Sequence, residues 1–512
     1  MLIDTKLADN RLQINAGFLL ITVFVTGASI LIIELIGTRV LAPYFGSGIY
    51  TWSALIAVTL AALSLGYVLG GKFADNYPNP SLLYFLCLIA GLWTALTPAL
   101  ATLLLPDLMQ LADIRLGVLV SSVLLFTPNL FVLGMAGPFA IRLFSSDHEA
   151  SGRTSGLVFS ISTLGSLLAA LGTGFILVPN YGVLTILIFS AIALIVVAML
   201  GFLFLKYFAM GLVSLMAAAL CFFYFPTTST QYSSLEIIDS SPSFYGQVQV
   251  VRKDGYKILL VDGIGQNYVT DKSEEALSYI NFLSSIPMAR KLPDEDPGSS
   301  LVIGLGAGQL PMLLKKSGLA VETVEIDPVI DVMARKHFGF NHSKDNVHFV
   351  DGRLYLSQTT SSYDYIIIDA FNADQIAWHL LSREALQIAR LRLKEHGLLA
   401  INITSFTSGD DIASLQKTLK TVFPFVRIFA ENPDAELTSI IFLASDSPVN
   451  LNDNFASLTP VQKFNINRYV KGELDEPDRR IVLSDNHKPV DYQHKKAQLQ
   501  WRKAMHEFLI EL

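Results

Sequence analysis

Cysteine is nearly absent from this chain of 512 residues: only Cys87 and Cys221 occur, both inside apolar stretches. That excludes a disulfide framework and a cysteine-based metal site. Charge is also scarce, at 16% of residues against 52% hydrophobic, and the mean hydropathy of +0.46 is unusual for a soluble enzyme of this length. The scarcity is local. Residues 1–230 hold eight Lys or Arg and eight Asp or Glu; subtraction from the totals of 37 and 44 leaves 29 basic and 36 acidic residues, a net −7, for residues 231–512. Neither part has the basic excess that nucleic acid attracts, so no nucleic-acid partner is expected. The acidic second part tolerates a cationic substrate, although mild acidity is also the ordinary state of cytosolic domains.

What the first part has instead is long apolar runs. Segments near 16–37, 51–71, 81–105, 116–137, 155–178, 181–204 and 207–226 each approach the ~20 residues a helix needs to cross hydrocarbon. The first reads as a signal anchor, since further spans follow it at once. Glu34 and Arg39 are read as a structural pair near the bilayer surface. Gly66, Gly70 and Gly71 have the small-residue spacing of close helix packing.

The pattern changes after Gln231. Short alternating runs at Leu235-Glu-Ile-Ile, Tyr245–Val251 and Lys257–Val261, with turn signals at Asp254-Gly255 and Asp262-Gly263, predict a small antiparallel sheet over residues 231–285. From residue 286 onward, strands at 300–304, 321–326, 347–350, 364–369 and 397–403 alternate with helices at 308–317, 328–337, 382–394 and 410–421, ahead of strands near 425–430 and 438–445. Such alternation specifies a doubly wound, mostly parallel, Rossmann-like α/β sheet of the class I methyltransferase type, with ligands at the carboxyl ends of its strands.

Those strand ends carry the chemistry. Val302-Ile-Gly304-Leu-Gly306-Ala-Gly308 is a glycine-rich strand-to-helix turn whose backbone N–H groups can approach a nucleoside closely. Glu325 or Asp327 ends the second strand, where an acid can accept both ribose hydroxyls; Asp351-Gly352 ends the third and Asp369 the fourth.

These residues make the chain resemble the spermidine synthases, and in particular their membrane-fused relatives. The resemblance covers roughly residues 235–445 and rests on Ser243-Phe-Tyr245-Gly-Gln247, Leu260-Val-Asp262-Gly263-Ile-Gly-Gln266, Tyr279, the glycine turn, Val324-Glu325-Ile-Asp327, Asp351-Gly352 and Tyr365-Ile-Ile-Ile-Asp369. It implies that Gln266 lies near the nucleoside, that Glu325 holds the ribose and Asp351 the adenine amine, and that Asp369 stands at the reacting end. It also implies substrate contacts by Gln247 and Tyr279. Soluble members transfer an aminopropyl group from decarboxylated S-adenosylmethionine to putrescine and release methylthioadenosine. No permanent cofactor and no metal would be needed, because the sulfonium is already an activated leaving group and the protein must only align an amine and take its proton. A free alkylamine, with a reference pKa of ~10.4, is mostly protonated at neutral pH, so Asp369 and Asp374 are the candidate bases.

Three departures bear on the substrate. The acid that soluble synthases carry inside the glycine turn is Ala307 here, which removes an anion that would repel the carboxylate of intact S-adenosylmethionine. The His-Glu that follows their tyrosine is Ile280-Asn281, and their second catalytic acid, three residues after the first, is Asn372, with an acid returning at Asp374. The expected chemistries are therefore aminopropyl or aminocarboxypropyl transfer to a small amine, or cyclisation of the donor with no second substrate. Methyl transfer is the alternative, since donor orientation alone selects the carbon attacked. A transporter with a nucleoside-sensing domain is a further one.

Leu483-Ser-Asp485 resembles a late segment of the fused relatives, and Asp485 is a candidate to close over the site, or else a turn cap. His379 is read either as orienting Asp374 or as a helix cap. The amphipathic tail from Tyr492 to Leu512 is expected to pack on the soluble domain rather than lie on a membrane. A homo-oligomer is possible. Orientation holds a conflict: Lys6, Arg11, Lys72, Arg142, Arg153 and Lys206 lie on one side against Arg39 and Arg115 on the other, so the N-terminus is cytosolic. Seven crossings would put the nucleoside domain outside. An eighth helix or re-entrant segment around Phe131–Phe144, where Pro138 interrupts the pattern, would return it to the cytoplasmic face of the cell (inner) membrane, where its donor is found.

Overall fold

The computed structural model describes residues 16–224, 235–270, 277–290, 298–487 and 494–510, apart from 112–113, 145–150, 344–345, 373–374, 452–457, 473 and 475–480. The chain divides into two compact units, Met1–Gln231 and Tyr232–Leu512.

Helices fill the first unit because unbroken apolar sequence leaves the backbone only its own groups to bond with. They are α1 (Ala16–Phe45), α2 (Ile49–Asn76), α3 (Pro80–Met109), α4 (Ile114–Phe144), α5 (Ser151–Gly172, continued through a π turn to Asn180), α6 (Val183–Phe204) and α7 (Phe208–Tyr224). Among the described residues six are long and apolar enough to cross a membrane, and the described part of α7 is shorter. The eighth helix expected near Phe131–Phe144 is not formed: that stretch lies within the single helix α4, which carries both Pro128 and Pro138 in its interior. A proline leaves one carbonyl unbonded, and against packed neighbouring helices this does not end the helix.

Small residues bring these helices together. A side chain on Gly66 would sit 2.5 Å from the Phe131 carbonyl oxygen, and one on Gly70 would sit 2.6 Å from Met135 Cα, so α2 and α4 approach backbone to backbone as the glycine spacing predicts. Gly71 meets nothing nearer than Pro138 at 3.9 Å. Asn129 Nδ2 donates to Thr94 Oγ1 at 2.7 Å, joining α4 to α3. The Arg142–Asp75 ion pair, 3.4 Å, ties α4 to α2. Glu34 is half-buried in α1. Five helical residues turn through roughly 140° beyond a full circle, a spacing that sets the Cα–Cβ bonds of Glu34 and Arg39 on different faces of α1.

The second unit opens with an antiparallel sheet in the order β1 (Glu236–Pro242), β2 (Gln247–Lys253), β3 (Tyr256–Val261), β4 (Ile264–Thr270). Both Asp-Gly signals are hairpin turns with left-handed backbone at each residue: φ is 48° and 79° at Asp254-Gly255 and 47° and 75° at Asp262-Gly263. One face of the sheet, with Val248, Val250, Leu259 and Val261, packs on Leu305, Ile330 and Met333 of the larger α/β part. The other, with Val251, Ile258 and Leu260, packs under Leu509 of the C-terminal helix, which spans Lys495–Ile510.

The main sheet contains β5 (Ser299–Ile303), β6 (Ala320–Glu325), β7 (Val347–Phe349), β8 (Tyr363–Ile368), β11 (Leu393–Ser405), β12 (Phe425–Ala430) and β13 (Thr438–Ser445), after the two-residue pair β9 (Phe371–Asn372) and β10 (Gln375–Ile376). Its order is β12-β13-β11-β8-β5-β6-β7, parallel except for β13, which runs antiparallel to both neighbours. This is the mixed, Rossmann-like sheet anticipated above. Strand order reverses between β5 and β8, where such folds open a crevice at the strands' carboxyl ends. Three helices lie outside the predicted alternation: Ser278–Ala289, Gly352–Gln358 and Pro460–Lys471. The first and third meet through Phe282 and Tyr469, whose rings stack at 4.3 Å.

Candidate active site

At the end of β5 the chain turns through Gly304, Gly306 and Gly308, with φ of 101°, 53° and 80°. A Cβ on Gly304 would lie 2.1 Å from the Asp369 carbonyl oxygen, and one on Gly308 2.5 Å from the Phe340 ring, so these positions admit no side chain. Around Gly306 the nearest atom is Asn267 Nδ2 at 3.7 Å, which leaves this part of the turn open to the cleft. The cleft is lined by Gly304, Gly306, Glu325, Asp327 and Asp369, together with Tyr245, Gln266, Asn267, Tyr279 and Ile280.

Glu325 ends β6, only 8% exposed. Its Oε2 accepts from the Leu305 N–H at 2.9 Å and its Oε1 from the Asp327 N–H at 2.8 Å. Burial pushes the carboxyl up to about 7, against those two bonds, which favour the ionised form. Asp327 caps the helix Pro328–His337, accepting from the Val329 N–H at 3.0 Å.

Asp369 follows β8. Its Oδ1 accepts from Asn402 Nδ2 at 2.9 Å, and the Tyr279 hydroxyl also donates to it. Burial raises this carboxyl to about 6, opposed by the two hydrogen bonds. The Tyr279 phenol is driven well above its ordinary value by burial and by the adjacent Asp369, so it remains a donor. Asn402 accepts in turn from Ser439 Oγ at 2.8 Å. The parallel register pairs Ile401 with Ile368, and this sets Asn402 beside Asp369. No sequence signal marks Asn402, because only strand pairing brings β11 to β8.

The other expected residues have partners of their own. Asp351 caps the helix Gly352–Gln358 by accepting from the Leu354 N–H at 3.0 Å, and its Oδ2 meets His379 Nε2 at 2.7 Å. Despite burial, these hydrogen bonds hold Asp351 below the ordinary carboxylate range. His379 is thus engaged with Asp351, while Asp374 lies outside the described residues. A Cβ on Gly352 would meet Ile303 at 2.5 Å. Asp485 binds Arg353 through two hydrogen bonds of 2.7 and 2.6 Å and accepts from Ser382 Oγ at 2.7 Å, so it secures the Asp351–Arg353 corner. Gln247 donates its side chain to Ser240 Oγ at 2.8 Å, and the cleft receives Tyr245 from the same loop. Among the described residues no cluster of three or more His, Cys, Asp or Glu is arranged to hold a metal ion.

Comparison with known proteins adds the family. Residues 248–452 match the model of the spermine/spermidine synthase domain. The chain carries a spermine/spermidine synthase domain. Relatives include a polyamine aminopropyltransferase of Vibrio vulnificus, 34% identical over 142 residues that cover 27% of this chain and 47% of the relative. The spermidine synthase of Schizosaccharomyces pombe is 24% identical over 251 residues, 47% of this chain and 82% of the relative. An N-terminal histidine N-methyltransferase of Emericella nidulans is 29% identical over 175 residues, 33% of this chain and 31% of the relative. The chain spans about half the length of the curated relatives it matches. Among solved structures, a probable spermidine synthase from Corynebacterium glutamicum aligns with a TM-score of 0.41 at 16% identity, over 49% of this chain and 98% of that one.

Within the spermine/spermidine synthase domain the departures have structural counterparts. Ala307 is fully buried in the apolar cluster under the glycine turn. Ile280 contributes an apolar wall to the cleft, while Asn281 Nδ2 turns back to the Leu277 carbonyl at 3.3 Å.

Proposed function

We propose that this membrane protein is a transferase that opens a sulfonium nucleoside at its propyl carbon. The donor is S-adenosylmethionine or its decarboxylated form, and the product is methylthioadenosine, by transfer of the aminopropyl or aminocarboxypropyl group to an amine or by cyclisation. One observation carries the reading: Asp369, raised to about 6 and held by Tyr279 and Asn402, stands at the mouth of a glycine turn whose other wall is Glu325. A carboxylate with that pKa is ionised at neutral pH yet basic enough to take a proton from an amine. The electron pair of the attacking nitrogen forms the new N–C bond, the C–S pair stays on sulfur, and the ammonium proton passes to the carboxylate.

Glu325 and Asp327 would receive the ribose, Gln266 the nucleoside flank, and Asp351 the adenine edge, with Asp374 a second acid at the reacting end. Ala307 favours the donor that retains its carboxylate. Methyl transfer is the second reading, favoured by the Emericella nidulans relative named a histidine N-methyltransferase. We place the catalytic unit on the cytosolic face, where sulfonium nucleosides are found.

The test is incubation of detergent-purified protein with S-adenosylmethionine or its decarboxylated form, with and without putrescine, and mass spectrometry of the nucleosides released. Methylthioadenosine is expected. Its release without an acceptor marks cyclisation, S-adenosylhomocysteine marks the methyltransferase, and no nucleoside product from either donor with any amine removes the reading.

A further inference from the structure

Four helices of the membrane unit bring polar side chains to one level inside an apolar bundle. Gly37 of α1 is the reference point: a Cβ there would lie 2.8 Å from Leu55 Cδ2 of α2 and 3.2 Å from Phe126 Cζ of α4. α2 runs opposite to α1, because only residues 46–48 join them. α4 runs with α2, since Gly66 meets Phe131 and Gly70 meets Met135. One helical turn back from Gly37 in α1 therefore stands level with one turn on from Leu55 in α2 and from Phe126 in α4. Those positions are Glu34, Thr59 and Asn129. The level is deep in the span, for Asn129 is the middle residue of the 31 in α4, with about 22 Å of helix on either side of it.

Two of these side chains hold orphaned oxygens. Thr59 is 1% exposed and Asn129 2%, and among the described residues neither Thr59 Oγ1 nor Asn129 Oδ1 has a hydrogen-bond partner. The orientation of the Asn129 amide is fixed by its other end. Thr94 Oγ1 of α3 donates to the Ala90 carbonyl at 2.8 Å, so it must accept from Asn129, whose Nδ2 stands 2.7 Å away. The oxygen is thus the atom left over. Next to it the Trp93 indole donates to the Leu125 carbonyl at 2.8 Å and holds α3 on α4. Glu34 is half-buried, and Arg39 leaves α1 on a different face. Ile33, Leu55, Val58, Phe126 and Leu130 surround this level with buried apolar surface. A carboxylate and orphaned acceptors are costly at such depth, and side chains of this kind inside spans mark ligand or ion sites.

We propose that Glu34, Thr59 and Asn129 form a binding site for an alkylammonium ion within the membrane unit. A primary ammonium carries one positive charge and three N–H donors. The site answers with a carboxylate for the charge and with one acceptor for each N–H: the Glu34 carboxylate, Thr59 Oγ1 and Asn129 Oδ1. The apolar residues around the level receive the alkyl body. Hydrogen bonds to a charged group are the strong kind, and the low dielectric of the span strengthens the attraction between ammonium and carboxylate. The ligand is held in its charged form and loses no proton here. This site belongs wholly to the membrane unit and stands without the sulfonium-transfer reading of the soluble one.

The experiment is calorimetric titration of the full-length protein in detergent, at low ionic strength, with n-butylammonium, tetramethylammonium, sodium and magnesium chlorides. n-Butylammonium is expected to bind saturably, and tetramethylammonium, which has no N–H, roughly tenfold more weakly or worse. Glu34→Gln should weaken n-butylammonium binding about a hundredfold, the scale of losing a bond to a charged partner. Thr59→Val keeps the side chain's shape, so it should weaken binding about tenfold at unchanged or raised Tm, and it decides the matter should Glu34→Gln fail to fold. Methylthioadenosine affinity should stay unchanged in both variants. Asp369→Asn should keep the n-butylammonium site, which separates it from any amine held by the soluble unit. Absence of n-butylammonium binding, equal affinity for tetramethylammonium, preference for sodium or magnesium, or n-butylammonium binding that survives both Glu34→Gln and Thr59→Val overturns the proposal. Failure of the transfer reading shows separately, as absence of methylthioadenosine binding and of any nucleoside product in the unmodified protein.

Discussion

Two buried carboxyls set the behaviour of the site at the level of single residues. Asp369 and Glu325 both titrate above their ordinary values because burial disfavours the charged form more than their hydrogen bonds favour it. As a base Asp369 must be ionised, so kcat should rise with pH through about 6, and Asp369→Asn should lower kcat by about a hundredfold or more while methylthioadenosine affinity stays within a fewfold. Equal loss of affinity and turnover in that variant would show a binding role instead. Stability runs the other way. The folded state holds these protons at pH values where the unfolded chain has released them, so stability is fullest below the unfolded values and declines as pH rises through about 6 and then about 7. Denaturant titrations from pH 4 to pH 8 should show a loss on the order of 2 kcal/mol for each carboxyl.

Packing between elements supports predictions of a different kind. Leu509, 3% exposed, is the knob by which the C-terminal helix sits on Val251, Ile258 and Leu260. Leu509→Ala should cost about 3 kcal/mol, read from the denaturation midpoint. In the membrane unit, Gly66 faces the Phe131 carbonyl at a distance that admits no side chain. Gly66→Leu must push α2 from α4, and a drop of Tm in detergent is expected, whereas Gly71→Leu, with nothing nearer than 3.9 Å, should be tolerated.

For the whole molecule the open quantity is sidedness. Among the described residues six helices of 22 to 30 residues are long and apolar enough to cross hydrocarbon, and an even number of crossings would return the chain to the side on which it began. The described part of α7, 17 residues, is about 26 Å long, below the roughly 30 Å of a hydrocarbon core. Six crossings would put the catalytic unit on the same side as the N-terminus, so the expected cytosolic placement needs no eighth helix. A fluorescent reporter that folds only in the cytosol, fused after Leu512, should be bright. A dark reporter, with activity for an external enzyme fused at the same place, would make α7 a seventh crossing and separate the site from cytosolic donor.

Local chemistry by itself determined the membrane helices, the two Asp-Gly hairpins and the strand-ending acids, because a twenty-residue apolar run, a left-handed turn and a strand's end are properties of contiguous residues. The glycine turn and Glu325 were legible for the same reason: both are strand-to-helix punctuation. Pro138 misled, since a proline inside a packed apolar helix does not end it. Only the tertiary structure placed Asn402 against Asp369 through the register of β11 on β8, joined His379 to Asp351, engaged Asp485 with Arg353, and brought Thr59 and Asn129 level with Glu34. Those partners lie between 28 and 132 residues apart where their bonds are direct. Such contacts come from sheet order and the packing of helices, neither of which any local pattern encodes.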